Sequence, residues 1–220
     1  MDFRNLAEEL ERNVGLDKVA NAAAEAVDQF LPPGSTRDTL LGKWLGHPLH
    51  PVLTDIPIGF WTSAFVFDLL PFRGSGKAAR TLIGLGTLSA LPTLASGWAE
   101  FSTLPTEKRR PAVVHAASNG VATGLYAWSY LARRRGRTLR GFTLGMLGAG
   151  AATVGGFLGG ALTYRLGAGV GRENDATDGS VDGPTERGLK VPDEFETPVL
   201  AGGVTGVSVE PEPVAPARGV

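Results

Sequence analysis

At 220 residues, 43% apolar and 20% charged, with a mean hydropathy of +0.04, the chain has the averages of a single soluble domain. It contains no cysteine, which excludes disulfides, thiolate metal sites, cysteine-ligated iron-sulfur clusters and a cysteine nucleophile. A net charge of -1 gives no electrostatic case for nucleic acid.

The averages conceal a segregated pattern. Residues 1-34 read as an amphipathic helical arm: Phe3, Leu6, Leu10 and Val14 recur at helical spacing, followed by Leu16, Val19, Ala23, Val27 and Phe30. Pro32-Pro33-Gly34 ends it. Acids run throughout this stretch and no apolar core interrupts them, so no secretory signal is expected. Ser35 or Thr36 can cap a short helix carrying Leu40, Leu41, Trp44 and Leu45, with Trp44 suited to a membrane interface.

Residues 35-170 are expected to form a four-span membrane domain, with spans near 51-70, 78-98, 112-132 and 141-164. Each approaches the roughly 20 residues needed to cross the hydrocarbon layer. The first holds only Asp55 near its start and Asp68 near its end. Pro57 is expected close to the helix start, and Asp68 is expected to pair with Arg73 or Arg80. Pro92 should kink the second span, and Pro111 should open the third. In the fourth, Gly155 with Gly159 and Gly156 with Gly160 suit close backbone approach within the bundle or between copies of the chain. Four crossings put both termini on one side. The dense Arg133, Arg134, Arg135, Arg137 and Arg140 cluster assigns them to the outside by the positive-inside rule. Residues 171-220 carry ten acids and four bases among Gly, Pro, Thr and Ser, and read as a disordered acidic tail in which Thr197 to Val209 is the one apolar fragment. The expected fold class is all-α: a four-helix transmembrane bundle with a helical arm and a flexible tail.

Chemistry concentrates in Gly46-His47-Pro48-Leu49-His50-Pro51, which holds two of the three histidines at the mouth of the first span. His115 lies just inside the third span, and since both spans are odd-numbered the three imidazoles share a membrane face. Asp55, Asn119 and Glu100 can support them from the same side. An ionisable group inside a membrane segment is a functional hypothesis by default. Three readings stand open. His47 or His50 with His115 can ligate a b-type haem or a divalent metal between helices. The same residues can form a proton- or quinone-linked site. In the plainest reading, prolines and histidines shape an interfacial turn, and the chain is a structural or interaction protein without cofactor. No nucleophile, base and acid set suggests a hydrolase, and Gly74-Ser75-Gly76-Lys77 lacks the upstream strand of a phosphate loop, so no enzyme is expected.

The histidine motif with Asp55-Ile56-Pro57-Ile58-Gly59, then His115 with Asn119, then Gly155-Gly156-Phe157-Leu158-Gly159-Gly160 with Tyr164 and Gly169-Val170, resembles the bacterial membrane family called domain of unknown function 2231. The resemblance covers roughly residues 40 to 170. It implies a four-helix integral protein of the bacterial plasma membrane with no established activity. Some relatives continue into a Rieske iron-sulfur domain, which implies electron transfer; without cysteine these 220 residues can hold no such cluster. A redox role would therefore use haem or a separate redox partner. The lipid bilayer and, through the glycine stripe, a second copy of the chain are the other expected partners.

Overall fold

A computed structural model describes residues 5-70 and 72-167. Among the described residues all regular structure is helical: α1 (Leu6–Arg12), α2 (Asp17–Phe30), α3 (Ser35–Leu40), α4 (Leu49–Leu69), α5 (Ser75–Phe101), α6 (Thr106–Arg134) and α7 (Thr138–Tyr164), with single 3-10 turns at Val14–Leu16 and Lys43–Leu45. The acidic tail lies outside the described residues.

The four long helices form two antiparallel hairpins, α4 with α5 and α6 with α7, joined where α5 packs on α6. α4 and α6 are diagonal to each other and meet across the middle through long side chains. α4, α5 and α7 are each long and apolar enough to cross a membrane. α6 is long enough at 29 residues but falls short in apolarity, so three of the four expected spans are both long and apolar enough to cross a membrane. The reason is its inner face. Ser129 and Arg133 are buried and His115 and Asn119 partly so, while the positions α6 exposes between 112 and 132 are Ala117, Gly120, Val121, Gly124, Trp128 and Leu131. Polar inside and apolar outside is the arrangement lipid demands and water does not.

Two local expectations are corrected. Pro57 does not open a helix; α4 begins at Leu49 and carries Pro57 in its interior. A proline there removes the N-H that would reach the carbonyl four residues back, at Leu53. Thr93 of α5 supplies the missing donor, its Oγ1 hydrogen-bonding Leu53 O at 3.2 Å. Asp68 pairs with neither Arg73 nor Arg80: both its oxygens accept from Arg133, at 2.6 and 2.7 Å. Only 3% of the arginine side chain and 11% of the aspartate side chain remain exposed. Arg133 comes from the other hairpin, and its burial explains why a nearer, more exposed arginine is not chosen: a buried carboxylate requires a partner that is itself fixed and desolvated.

The arm docks at the end of the bundle where α4 and α6 begin. Ala20 and Ala24 of α2 are buried against Phe101, Leu104, Ala112, Val113 and Leu162. A buried methyl contributes about 0.8 kcal/mol, so small side chains give close approach rather than strong adhesion. Orientation comes from arginines. Arg110 of α6 spans Asp17 through Nε at 2.6 Å and Nη2 at 3.0 Å and also donates to Glu11 O. Arg37 of α3 joins Asp28 at 2.8 Å and also contacts Ser102. The Arg110 hydrogen bond holds the Asp17 carboxyl below the usual carboxylate range.

A candidate site between the two hairpins

α4 enters the bundle through a turn in which Gly46 adopts a left-handed conformation, φ 66°. At the second position of α4, His50 donates its Nδ1 hydrogen to the carbonyl of Thr93 on α5 at 2.9 Å. On the other hairpin His115 of α6 donates its Nδ1 hydrogen to the carbonyl of Gly155 on α7 at 2.8 Å. A carbonyl oxygen can only accept, so both Nδ1 atoms carry hydrogen, and in the neutral ring Nε2 keeps its lone pair. The ring centroids lie 6.0 Å apart with planes at 87°. Each imidazole rests on a glycine. A Cβ on Gly97 would come within 2.8 Å of His50 Cε1, and one on Gly159 within 2.8 Å of His115 Cε1. The Asn119 amide lies 3.2 and 3.4 Å from the two His115 nitrogens and faces Gly155, where a Cβ would meet Oδ1 at 2.5 Å.

The other residues expected at this face do not join the pair. His47 is exposed and hydrogen-bonds its own neighbour, Nδ1 to Pro48 O at 3.2 Å. Asp55 is exposed, Glu100 is partly buried, and neither has a side-chain hydrogen bond or ion pair among the described residues. Tyr164 is 88% exposed.

The pair belongs to a longer pattern. Three turns beyond the histidines, Trp61 of α4 stacks on Tyr126 of α6, centroids 4.1 Å apart and planes 11° from parallel. Two turns further the same helices supply Asp68 and Arg133. The 65 residues separating Asp68 from Arg133 also separate Trp61 from Tyr126 and His50 from His115. Glycines repeat likewise on the partner helices: Gly86 backs Trp61 as Gly148 backs Tyr126, at the spacing that relates Gly97 to Gly159. The two hairpins are thus related halves. α4 and α6 run in the same direction, and their three paired side chains meet along the middle of the bundle, in the manner of parallel membrane repeats. The sequence points to His50, His115 and Asn119, and marks Gly155 as a close-approach position, but gives no local sign of Thr93, of the Gly155 carbonyl as an acceptor, or of the Trp61–Tyr126 stack. The repeat is the signal that could have found them: a 65-residue offset relates α4 to α6, and a 62-residue offset relates Thr93 to Gly155 as it does Gly97 to Gly159.

The sequence pattern of a family described as "Predicted membrane protein (DUF2231)" matches residues 46–172. The chain belongs to that family. The matched span begins at the turn before His50 and includes α4 to α7, so the DUF2231 region contains both hairpins and both histidines, while the arm lies ahead of it. With its long apolar helices, this DUF2231 chain is a multi-pass membrane protein in a lipid bilayer. No curated protein and no solved structure matches it.

Proposed function

We propose that this chain is a redox-associated subunit of the bacterial plasma membrane in which His50 and His115 would hold a b-type haem, which would supply one-electron transfer to or from a separate redox partner. The observation that supports the reading is the pair itself: two imidazoles from different hairpins, each with Nδ1-H on a main-chain carbonyl and its lone pair on Nε2, that of His115 now meeting the Asn119 amide at 3.2 Å, which a ligated group would have to displace. Metal-bound histidines characteristically make this second hydrogen bond, which fixes the ring and strengthens the ligand. One or two imidazoles would suffice to hold a haem iron, whereas a bare divalent ion asks for three or four protein ligands. Among the described residues no group of three His, Asp or Glu side chains is gathered. Haem is therefore favoured over a divalent ion, and His47 is not needed. The arginines of the α6-α7 turn favour that end of the bundle facing the cytoplasm, with both termini outside.

Protein purified from its native membrane should show a Soret band. His50→Ala and His115→Ala should each abolish or shift that band, and His47→Ala should leave it unchanged. A preparation with neither haem nor stoichiometric metal overturns the proposal in favour of a cofactor-free interaction protein. Quinone-dependent shifts of the imidazole resonances without metal would instead assign the same lone pairs to a quinone site.

A further inference from the structure

At the opposite end of the bundle from the histidines, five arginines crowd the turn between α6 and α7, and they are not equivalent. Arg133 is buried and committed to Asp68. Arg134 lies over the Tyr130 ring, 5.9 Å from its centroid. The remaining three, Arg135, Arg137 and Arg140, are exposed and line one cleft of about 220 Å³ with Trp128 and Ala132. None of the three makes an ion pair among the described residues.

The backbone brings them together. Gly136 turns the chain with φ 72°, and the N-H groups of Gly136 and Arg137 fold back onto the carbonyls of Arg133 and Ala132 at 3.1 and 2.9 Å. Arg137 is the N-cap of α7, whose first turn has no acidic residue and no side-chain cap, so the positive end of a 27-residue helix adds to the guanidinium charge. The floor of the cleft is amphipathic. Trp128 is half exposed, with the Arg140 guanidinium 5.0 Å above its ring, and Leu131 and Leu139 are exposed beside it. Concentrated positive charge without counter-charge, placed where a tryptophan marks the interface and leucines face lipid, matches a phosphate that carries acyl chains.

We propose that this cleft is a binding site for the phosphate headgroup of an anionic phospholipid, held by Arg135, Arg137 and Arg140 and levelled by Trp128. The site is distinct from the histidine pair and independent of what that pair binds. Exposed Arg73 of the α4-α5 turn and Lys77 of the first turn of α5 provide the comparison, because they carry charge outside the cleft.

The test is native mass spectrometry of the full chain in neutral detergent, titrated with phosphatidylglycerol, phosphatidylcholine or inorganic phosphate. The wild type should retain phosphatidylglycerol preferentially over phosphatidylcholine. Arg137→Gln/Arg140→Gln should weaken phosphatidylglycerol about thirtyfold, which is about 2 kcal/mol at 1.4 kcal/mol per tenfold and follows from about 1 kcal/mol per arginine near an anionic surface. Arg73→Gln/Lys77→Gln should change it little. Trp128→Ala, with all three arginines intact, should also weaken lipid. Equal losses from the cleft and the comparison pair would reduce the effect to general surface charge and overturn the proposal. Displacement of the lipid by millimolar inorganic phosphate would assign the cleft to a soluble phosphate and overturn the lipid assignment.

Discussion

At the scale of single residues, the histidine pair depends on what is missing beside it. Gly97 and Gly159 give each imidazole the space of a side chain, and an added Cβ would stand 2.8 Å from a ring carbon in both cases. Gly159→Ala should therefore push His115 off the Gly155 carbonyl. The expected cost is about 1-3 kcal/mol from overpacking, together with loss of any spectrum the pair supports. A Cβ on Gly150 would meet nothing within 4 Å, so Gly150→Ala should leave the spectrum unchanged and should not destabilise, since alanine favours the interior of α7 over glycine. Thermal unfolding in detergent and the optical spectrum, recorded on both variants, check the contrast. Equal behaviour of the two would show that the glycines do not set the ring positions.

At the scale of helices, the Asp68–Arg133 pair joins two hairpins that otherwise meet mainly where α5 touches α6. Removing one partner of a buried pair leaves an uncompensated charge and typically costs about 3-5 kcal/mol. Asp68→Asn should destabilise on that scale, while the double change Asp68→Leu/Arg133→Met should recover most of the loss. Denaturant titration of the three proteins reads this directly. A double variant as unstable as the single one would mean the pair contributes more than relief from its own desolvation. The arm follows a different rule because its contact is near water. Asp17 has its folded pKa lowered by the Arg110 hydrogen bond, so its stabilising effect is present above the unfolded value of about 3.9 and is lost as pH falls through the depressed folded value. The hydrogen-exchange protection factors of α1 and α2, taken relative to the intrinsic rate at each pH, should fall on acidification below about pH 4. Asp17→Asn should show the faster exchange at neutral pH and lose this pH dependence; unchanged protection in the variant would remove Arg110 as the anchor.

At the scale of the whole molecule, the membrane character and the helical architecture are legible in the sequence because hydropathy records which segments avoid water. The third span shows the limit of that signal. α6 is recognisable from its length and flanking arginines, yet its composition is blurred by His115, Asn119, Ser129 and Arg133, whose inward direction only packing reveals. Which helix faces which is not a property of any one segment. Arg73 and Arg80 stand near Asp68 in sequence and look like its natural partners, but the true partner emerges only when the two hairpins lie beside each other. The histidine pair lies between these extremes, since counting crossings brings His50 and His115 to one face but cannot tell that His47 turns outward.

The repeat also carries an instruction about assembly. Two identical copies of either hairpin, related by a true twofold, would set aspartate against aspartate or arginine against arginine at the level where this chain sets Asp68 against Arg133. Like charges buried together are strongly disfavoured, so each half carries a lock that rejects its own kind and accepts the other. Residues 1–104 and 105–220 produced as separate chains should therefore be recovered from membranes as a one-to-one complex, and neither alone should form a stable self-pair. Cross-linking followed by mass measurement distinguishes the outcomes, and self-pairs as abundant as mixed pairs would show that the opposite charges do not govern recognition.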